Sequence, residues 1–172
     1  LLEKLAYTVV PDSKEVEKRI ELDERLLTTP AVAISESGNL ACKMAQEAVR
    51  GFKLSLASIN GYDEQTAREI RELESDTDRY EDVLGTYLTK ILRYKISDED
   101  SAEVSRLLKA IGDFERLGDH AMNLLDSAKE KQEKNYQFSA DAAAQMQVLK
   151  GAICEILDLI LMLLFLADEN EI

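Results

Sequence analysis

Residues 114–120 read Phe-Glu-Arg-Leu-Gly-Asp-His and lie within a heptad pattern that runs through the third long segment of the chain. Apolar or small residues occupy its a and d positions, in the order Val104, Leu107, Ile111, Phe114, Gly118, Ala121, Leu125 and Ala128. Such a repeat gives a helix one continuous seam that packs against other helices. Glu115 and Asp119 are four residues apart, so their carboxylates share one face of this helix beside the seam.

The segment before it carries the same pattern and a matching acidic pair. Its a positions are Ile70, Thr77, Leu84 and Ile91, and its d positions are Leu73, Tyr80, Tyr87 and Tyr94. Glu74 and Asp78 take heptad positions e and b, which are also the positions of the later pair. If the two helices are antiparallel neighbours, the pairs meet along one edge of the groove between them, and Glu81 extends the row.

The composition predicts an all-α protein. The chain has 7 Gly, 2 Pro and no Trp among 172 residues, with long runs of Ala, Leu, Glu and Lys. We expect four helices, over about residues 30–60, 63–94, 97–134 and 139–166. The length is enough for one domain with a real core, and the predicted fold is an antiparallel three- or four-helix bundle.

Local signals mark the ends of these helices. Thr29 is a good N-cap residue, and Pro30 suits the first position of the first helix. Residues 60–61, Asn-Gly, predict its end. Ser97 and Asp100 have the spacing of a capping box at the start of the third helix.

The fourth helix is apolar nearly all round over residues 153–165. A helix of this kind needs neighbours on more than one side, and four helices leave part of it uncovered. We therefore expect a partner, either a second copy or more of the same polypeptide. The longest apolar run, 152–167, is interrupted by Glu155 and Asp158 and is shorter than the roughly 20 residues of a membrane-spanning helix.

The charge balance excludes two classes of partner. The formal net charge is −13, whereas a nucleic-acid-binding protein needs a basic patch. An acidic chain is also repelled by an anionic lipid surface. We therefore expect no nucleic acid as a partner.

The two cysteines and the single histidine make several kinds of metal and catalytic site improbable. Cys42 and Cys154 fall in apolar helical pattern, so we expect them to be reduced and buried, with a disulfide as the less favoured alternative. His120 is the one histidine, whereas zinc, haem and histidine-based catalytic sites usually need more than one imidazole or a thiolate cluster. We expect no enzymatic activity.

The two acidic pairs have two interpretations. Four unpaired carboxylates held close together repel one another, and a bound cation relieves that repulsion. Oxygen ligands of this kind suit Mg, Ca, Mn or Fe. The alternative is an ordinary solvated face, which the spacing alone favours because 34 acidic residues produce chance pairs. The candidate metal ligands are Glu74, Asp78, Glu115 and Asp119, with Glu81 and His120 second in rank.

Residues 114–123 closely resemble the Leu-Glu-Arg-Ile-Gly-Asp-His-Ala-x-Asn signature of the PhoU family. Residues 74–81 resemble that family's first Glu/Asp-x-x-x-Asp motif, and residues 40–45 resemble its opening helix. The resemblance implies a PhoU-like, spectrin-like bundle of tandem three-helix repeats that negatively regulates phosphate uptake and signalling. In some members these motifs bind iron or zinc clusters. Asp76 and Tyr80 stand where many relatives have Glu and Leu, which leaves the motif spacing intact.

Residues 1–5, 10–11 and 22–30 resemble the linker of bacterial sodium–phosphate cotransporters. In that family the linker joins the last membrane helix to a cytoplasmic PhoU-like domain. The resemblance implies that residues 1–29 are a linker after a membrane domain. Residues 30–172 would then form a PhoU-like bundle, with one complete three-helix repeat and the first helix of a second.

The function implied is that of a non-catalytic regulatory domain on the cytoplasmic side of a bacterial plasma membrane, acting on its own transporter's membrane domain. A stand-alone PhoU-type phosphate-signalling regulator is the alternative. A di-iron enzyme of ferritin type is disfavoured, because such bundles use Glu-x-x-His steps and His120 does not have that spacing from Glu115. A purely structural bundle without a ligand is a further alternative.

Overall fold

A computed structural model describes residues 20–169, with side chains as far as residue 164. A short 3-10 helix, Glu24–Thr28, precedes four α-helices. These are α1 (Pro30–Ser58), α2 (Glu64–Ile91), α3 (Asp98–Glu133) and α4 (Ala140–Glu169). The all-α helical bundle predicted from the sequence is confirmed. The predicted linker, residues 1–29, lies largely outside the described residues.

Helices α1, α2 and α3 pack against one another around the core. Helices α2 and α3 run antiparallel, because Gly85 faces Ile111 while Gly118 faces Thr77 further along the pair. Every residue predicted at an a position of these two helices is buried. Among the d positions Leu73, Tyr80, Tyr87, Ala121 and Ala128 are buried, and Leu107 and Phe114 are half-buried. Burial of these side chains provides the main driving force for the three-helix unit.

Tyr94 was expected at the end of the α2 seam, and that prediction is wrong. The helix ends at Ile91, and Tyr94 is 44% exposed. The N–H of Tyr94 donates to the carbonyl of Ile91, and that of Arg93 to Lys90, which are the three-residue bonds of a tightening turn. The chain therefore leaves the helical path before the heptad pattern reaches Tyr94.

The predicted helix starts are largely confirmed. Pro30 occupies the first position of α1, although the Thr29 side chain makes no capping bond. At α3 the capping box is complete. The Asp100 N–H donates to Ser97 Oγ at 3.0 Å, and the Ser97 N–H donates to the Asp100 carboxylate at 3.3 Å.

The 3-10 helix is fastened to the bundle by three contacts. Leu27 is buried in the core. Tyr87 Oη of α2 donates to the backbone carbonyl of Asp23 at 2.8 Å, and Lys90 forms an ion pair with Glu24. Residues just before α1 are thereby held against the end of α2.

Helix α4 packs mainly against α1, and Leu164 of α4 lines a cavity together with Leu107 and Phe114 of α3. Leu157 is buried in this contact region, and Lys53 of α1 forms an ion pair with Asp158. Cys42 and Cys154 form no disulfide and are half-buried rather than fully buried. Within residues 20–169, no helix combines the length and the apolar character needed to cross a membrane.

Candidate functional site

The antiparallel pairing of α2 and α3 brings the two acidic pairs to the same edge of the groove. A β-carbon placed on Gly118 would lie 3.8 Å from Glu74 Cγ, so the two helices touch at the level of the pairs. Burial raises the pKa of both Glu74 and Asp78, and the charge of Asp119 on α3 raises it further, so the carboxylates of α2 and α3 are close enough to interact. The juxtaposition expected from the shared heptad register is therefore present.

We define the acidic face as the six carboxylates that this coupling links across the two helices. Its members are Glu74, Asp78, Glu81 and Asp82 on α2, and Glu115 and Asp119 on α3. Glu74, Glu81 and Glu115 are half-buried, whereas Asp78, Asp82 and Asp119 are exposed. The glutamates thus lie nearer the seam, and the aspartates form the outer row.

Three carboxyl groups of the acidic face have pKa values above their ordinary range. Burial is the largest cause for each of them. The charges of Asp78, Asp119 and Glu115 add to the raised pKa of Glu74. For Glu115, the nearby acids raise the pKa further, whereas Arg116 partly offsets them. Deprotonating these groups together is therefore costly.

Among the described residues, no lysine, arginine or histidine forms an ion pair with any member of the acidic face. Other carboxylates of the same helices are paired: Glu64 lies 3.1 Å from Arg71, and Asp76 lies 3.3 Å from Arg79. The ion pair of Glu64 with Arg71 lies near the start of α2, away from the acidic face. The six carboxylates concentrate negative potential on one side of the α2–α3 groove.

The side chains of the acidic face are not arranged as a closed metal centre. Over residues 20–164, no three Asp, Glu, His or Cys side chains are placed to hold one ion. His120 is exposed, and it faces solvent next to Asp119 rather than completing a ligand set. The helices set the carboxylates beside one another, but their present conformations do not converge on a point.

Asp82 belongs to the acidic face, although it is not among the site residues predicted from the sequence. It follows Asp78 by four residues, which is the helical spacing that identified the other pairs, and its charge contributes to the raised pKa of Asp78. A systematic extension of the four-residue step along α2 would have found it. Asp82 takes heptad position f, on the side of the helix away from the seam, so the positions beside the seam gave no signal for it.

The match to a known family covers both acidic helices. The sequence model of the PhoU domain matches residues 41–128, just over half of the chain. The chain belongs to the PhoU family. Most of α1, all of α2 and most of α3 lie within the match, and α4 lies after it. No significant match to the chain was found among curated proteins or among solved structures.

Membership of the PhoU family indicates a phosphate-related regulatory role. PhoU domains are generally non-catalytic regulatory domains, which agrees with the expectation that this chain is not an enzyme. The three-helix unit described above is the part of the chain that corresponds to the family. The acidic face therefore belongs to the PhoU domain itself.

Proposed function

We propose that this chain is the regulatory domain of a sodium-dependent phosphate transporter, which it restrains from the cytoplasmic side of a bacterial plasma membrane. The regulatory part of the proposal is carried by the PhoU match over residues 41–128, which contains both acidic pairs. The linker-like sequence of residues 22–30 supports attachment to a membrane domain. In this proposal the domain performs no chemistry on phosphate and changes uptake by contacting the transporter.

We propose further that a cation bound at the acidic face is part of this regulation. The support is electrostatic, because the carboxylates of the acidic face interact with one another and three of them have raised pKa values. Within the described residues, no ion pair neutralises them. A cation would relieve this repulsion once the side chains turned toward it. Glu74, Asp78, Glu115 and Asp119 are the proposed ligands, with Glu81 as an additional one. An all-oxygen set suits Mg, Ca, Mn or Fe better than Zn, which favours nitrogen and sulfur ligands.

Metal analysis tests the cation directly. The protein is purified without chelator, and its metal content is measured by mass spectrometry before and after dialysis against Mg, Ca, Mn, Fe or Zn. We expect Glu115→Gln combined with Asp119→Asn to lose the bound metal. The matched control is Glu72→Gln combined with Asp113→Asn, which removes one glutamate and one aspartate charge from exposed positions outside the acidic face. Equal metal content in the two variants would reject these ligands.

Phosphate uptake tests the regulatory role. The same two double variants are placed in the intact gene, and uptake of radiolabelled phosphate is followed in cells at low and high external phosphate. We expect the Glu115 and Asp119 variant to keep a high uptake rate when phosphate is plentiful, while the control behaves like the wild type. Unchanged uptake together with altered expression of phosphate-starvation genes would instead favour a stand-alone signalling regulator.

A further inference from the structure

A cavity of about 340 Å³ lies between α2 and the residues that precede α1. We call it the linker groove and define it by its two walls, which are residues 20–24 on one side and residues 82–90 of α2 on the other. Ligand pockets in proteins span about 300–1,000 Å³, so the linker groove is large enough for a few side chains of a partner but not for a whole helix.

The floor of the linker groove is apolar. Ile20 and Tyr87 are buried there, and Leu22 and Val83 are half-buried. The hydroxyl of Tyr87 is already engaged, because it donates to the Asp23 carbonyl at 2.8 Å. The floor therefore favours an aliphatic side chain, whose burial removes apolar surface from water, over a polar one.

The rim of the linker groove carries the exposed carboxylates of Glu21, Glu24 and Asp82. A lysine of the chain itself binds at one end of this rim, because Lys90 forms an ion pair with Glu24. Asp82 lies about two turns earlier on α2 and has no ion-pair partner within residues 20–164. It also continues the exposed row that Asp78 begins in the acidic face. Negative charge therefore remains unneutralised at the Asp82 end of the rim.

We propose that the linker groove binds a loop that carries Lys or Arg beside an aliphatic residue, supplied by the cytoplasmic side of the transporter's membrane domain. The aliphatic side chain would fill the floor, and the basic group would reach the carboxylate of Asp82. Cytoplasmic loops of membrane proteins carry an excess of Lys and Arg, so such a loop and the acidic rim are complementary in charge. The identity of the partner rests on the proposed function, whereas the groove and its charge do not depend on it or on a bound cation.

Two other occupants fit the linker groove less well. A second copy of this chain has a formal net charge of −13, so the two copies repel each other. An anionic lipid surface is repelled by the same charge. The position of the groove also favours the loop, because one wall belongs to the predicted linker and the bonds of Tyr87 and Lys90 fasten that wall to α2. A loop bound here would hold the linker and α2 together.

Peptide binding to the full 172-residue chain tests the proposal. The probe is a short fluorescein-labelled peptide in which Lys or Arg alternates with Leu, and fluorescence anisotropy is measured at physiological salt with a chelator present. We expect micromolar binding, because the contact is small. Replacing every Leu of the peptide with Ser should weaken binding roughly tenfold, since the floor is left unfilled. Replacing every Lys or Arg with Glu should abolish binding, since like charges then meet at the rim.

Two substitutions on α2 distinguish the linker groove from the general acidity of the chain. Thr86 is an exposed residue of the groove, so Thr86→Arg would place a basic group at the rim and should weaken binding of the Leu-containing peptide roughly tenfold or more. Thr89→Arg adds the same charge at an exposed position outside the groove and should bind almost as tightly as the wild type. Asp82→Asn removes the rim charge at constant size and should weaken binding severalfold. Circular dichroism confirms that each variant is folded.

Absence of peptide binding by the wild type, or equal affinity of the Thr86→Arg and Thr89→Arg variants, would overturn the proposal. Phosphate uptake by cells that carry the same two variants tests the partner separately, and we expect only Thr86→Arg to change it. If peptide binding depends on Thr86 while uptake is the same for both variants, the linker groove is a site for basic segments but the transporter is not its partner. In that case it is the proposed function that fails.

Discussion

Gly118 of α3 lies directly against Thr77 of α2, so that a β-carbon placed on Gly118 would stand 3.6 Å from Thr77 Cγ2. Both residues are buried at a positions of their heptads. The two helices therefore meet at the level of Glu74, within the acidic face. These distances leave room for a β-carbon, so the close packing does not itself require a glycine at this position.

We expect Gly118→Ala to stabilise the protein by up to about 1 kcal/mol, the cost of a glycine relative to alanine within a helix. The added methyl group would meet Thr77 and Glu74 at ordinary van der Waals distances, so it fits without displacing the helices. Urea unfolding measures the change. Gly112→Ala is the control, because its β-carbon would meet nothing within 4 Å. If Gly118→Ala destabilises the protein while Gly112→Ala stabilises it, the contact between Gly118 and Thr77 is too tight to accept a methyl group.

We expect Asp78→Asn to stabilise the metal-free protein at neutral pH by about 0.2–0.5 kcal/mol, because it removes a like-charge pair at helical spacing. Burial, and then Asp119 and Asp82, raise the pKa of Asp78 above its usual 3.8. A raised carboxyl pKa contributes stability that is fully present below the unfolded-state value and is lost as the pH rises through the folded-state value. The advantage of Asp78→Asn should therefore appear as the pH rises above about 4 and be absent below it.

Urea unfolding in the presence of a chelator, repeated across this pH range, measures that effect. Glu72→Gln on the exposed side of α2 serves as the control and should show a smaller dependence on pH. Addition of a cation that binds the acidic face should reverse the order, because it stabilises the wild type and not the variant. An advantage for Asp78→Asn that grows as the pH falls would contradict the assigned direction of the pKa shift.

The heptad pattern was sufficient to predict the packing of α2 and α3. It identified the buried a positions from Ile70 to Leu125, and it placed the two acidic pairs at equivalent positions beside the seam. Antiparallel packing then brings equivalent positions of consecutive helices to one edge of their groove. The proximity of Glu74 to Asp119 could therefore be predicted from the sequence, because it depends on backbone geometry alone.

The end of α2 and the surroundings of the 3-10 helix did not follow from the sequence. A heptad pattern cannot reveal where a helix ends, so Tyr94 was assigned to the seam although the helix ends three residues earlier. The bond from Tyr87 to the Asp23 carbonyl joins residues 64 positions apart, and no local pattern signals it. The arrangement of the candidate metal ligands also cannot be predicted from the sequence, because it depends on the side-chain rotamers of residues such as Glu74 and Glu115.

We expect Tyr87→Phe to destabilise the protein by about 0.5–1.5 kcal/mol through loss of the bond from Tyr87 Oη to the Asp23 carbonyl. Because this bond fastens the residues before α1 to α2, the loss should be largest there. Hydrogen exchange of the Leu26 amide, which donates to the Asp23 carbonyl at 3.0 Å, should become faster. Tyr94→Phe is the control, since Tyr94 is exposed. Equal exchange of the Leu26 amide in both variants would show that the hydroxyl of Tyr87 does not hold the 3-10 helix.

We expect Ser97→Ala to destabilise the protein by about 1 kcal/mol, because the Asp100 amide would lose its acceptor at the start of α3. Ser97→Asp should preserve most of the stability, since aspartate is an equally good N-cap. Ser105→Ala removes an exposed hydroxyl from the interior of the same helix and should cost nothing, because alanine is the better helix former. Thermal unfolding followed by circular dichroism measures all three. A loss of the same size for Ser105→Ala would mean that the effect arises from serine hydroxyls along α3 in general and not from the capping box.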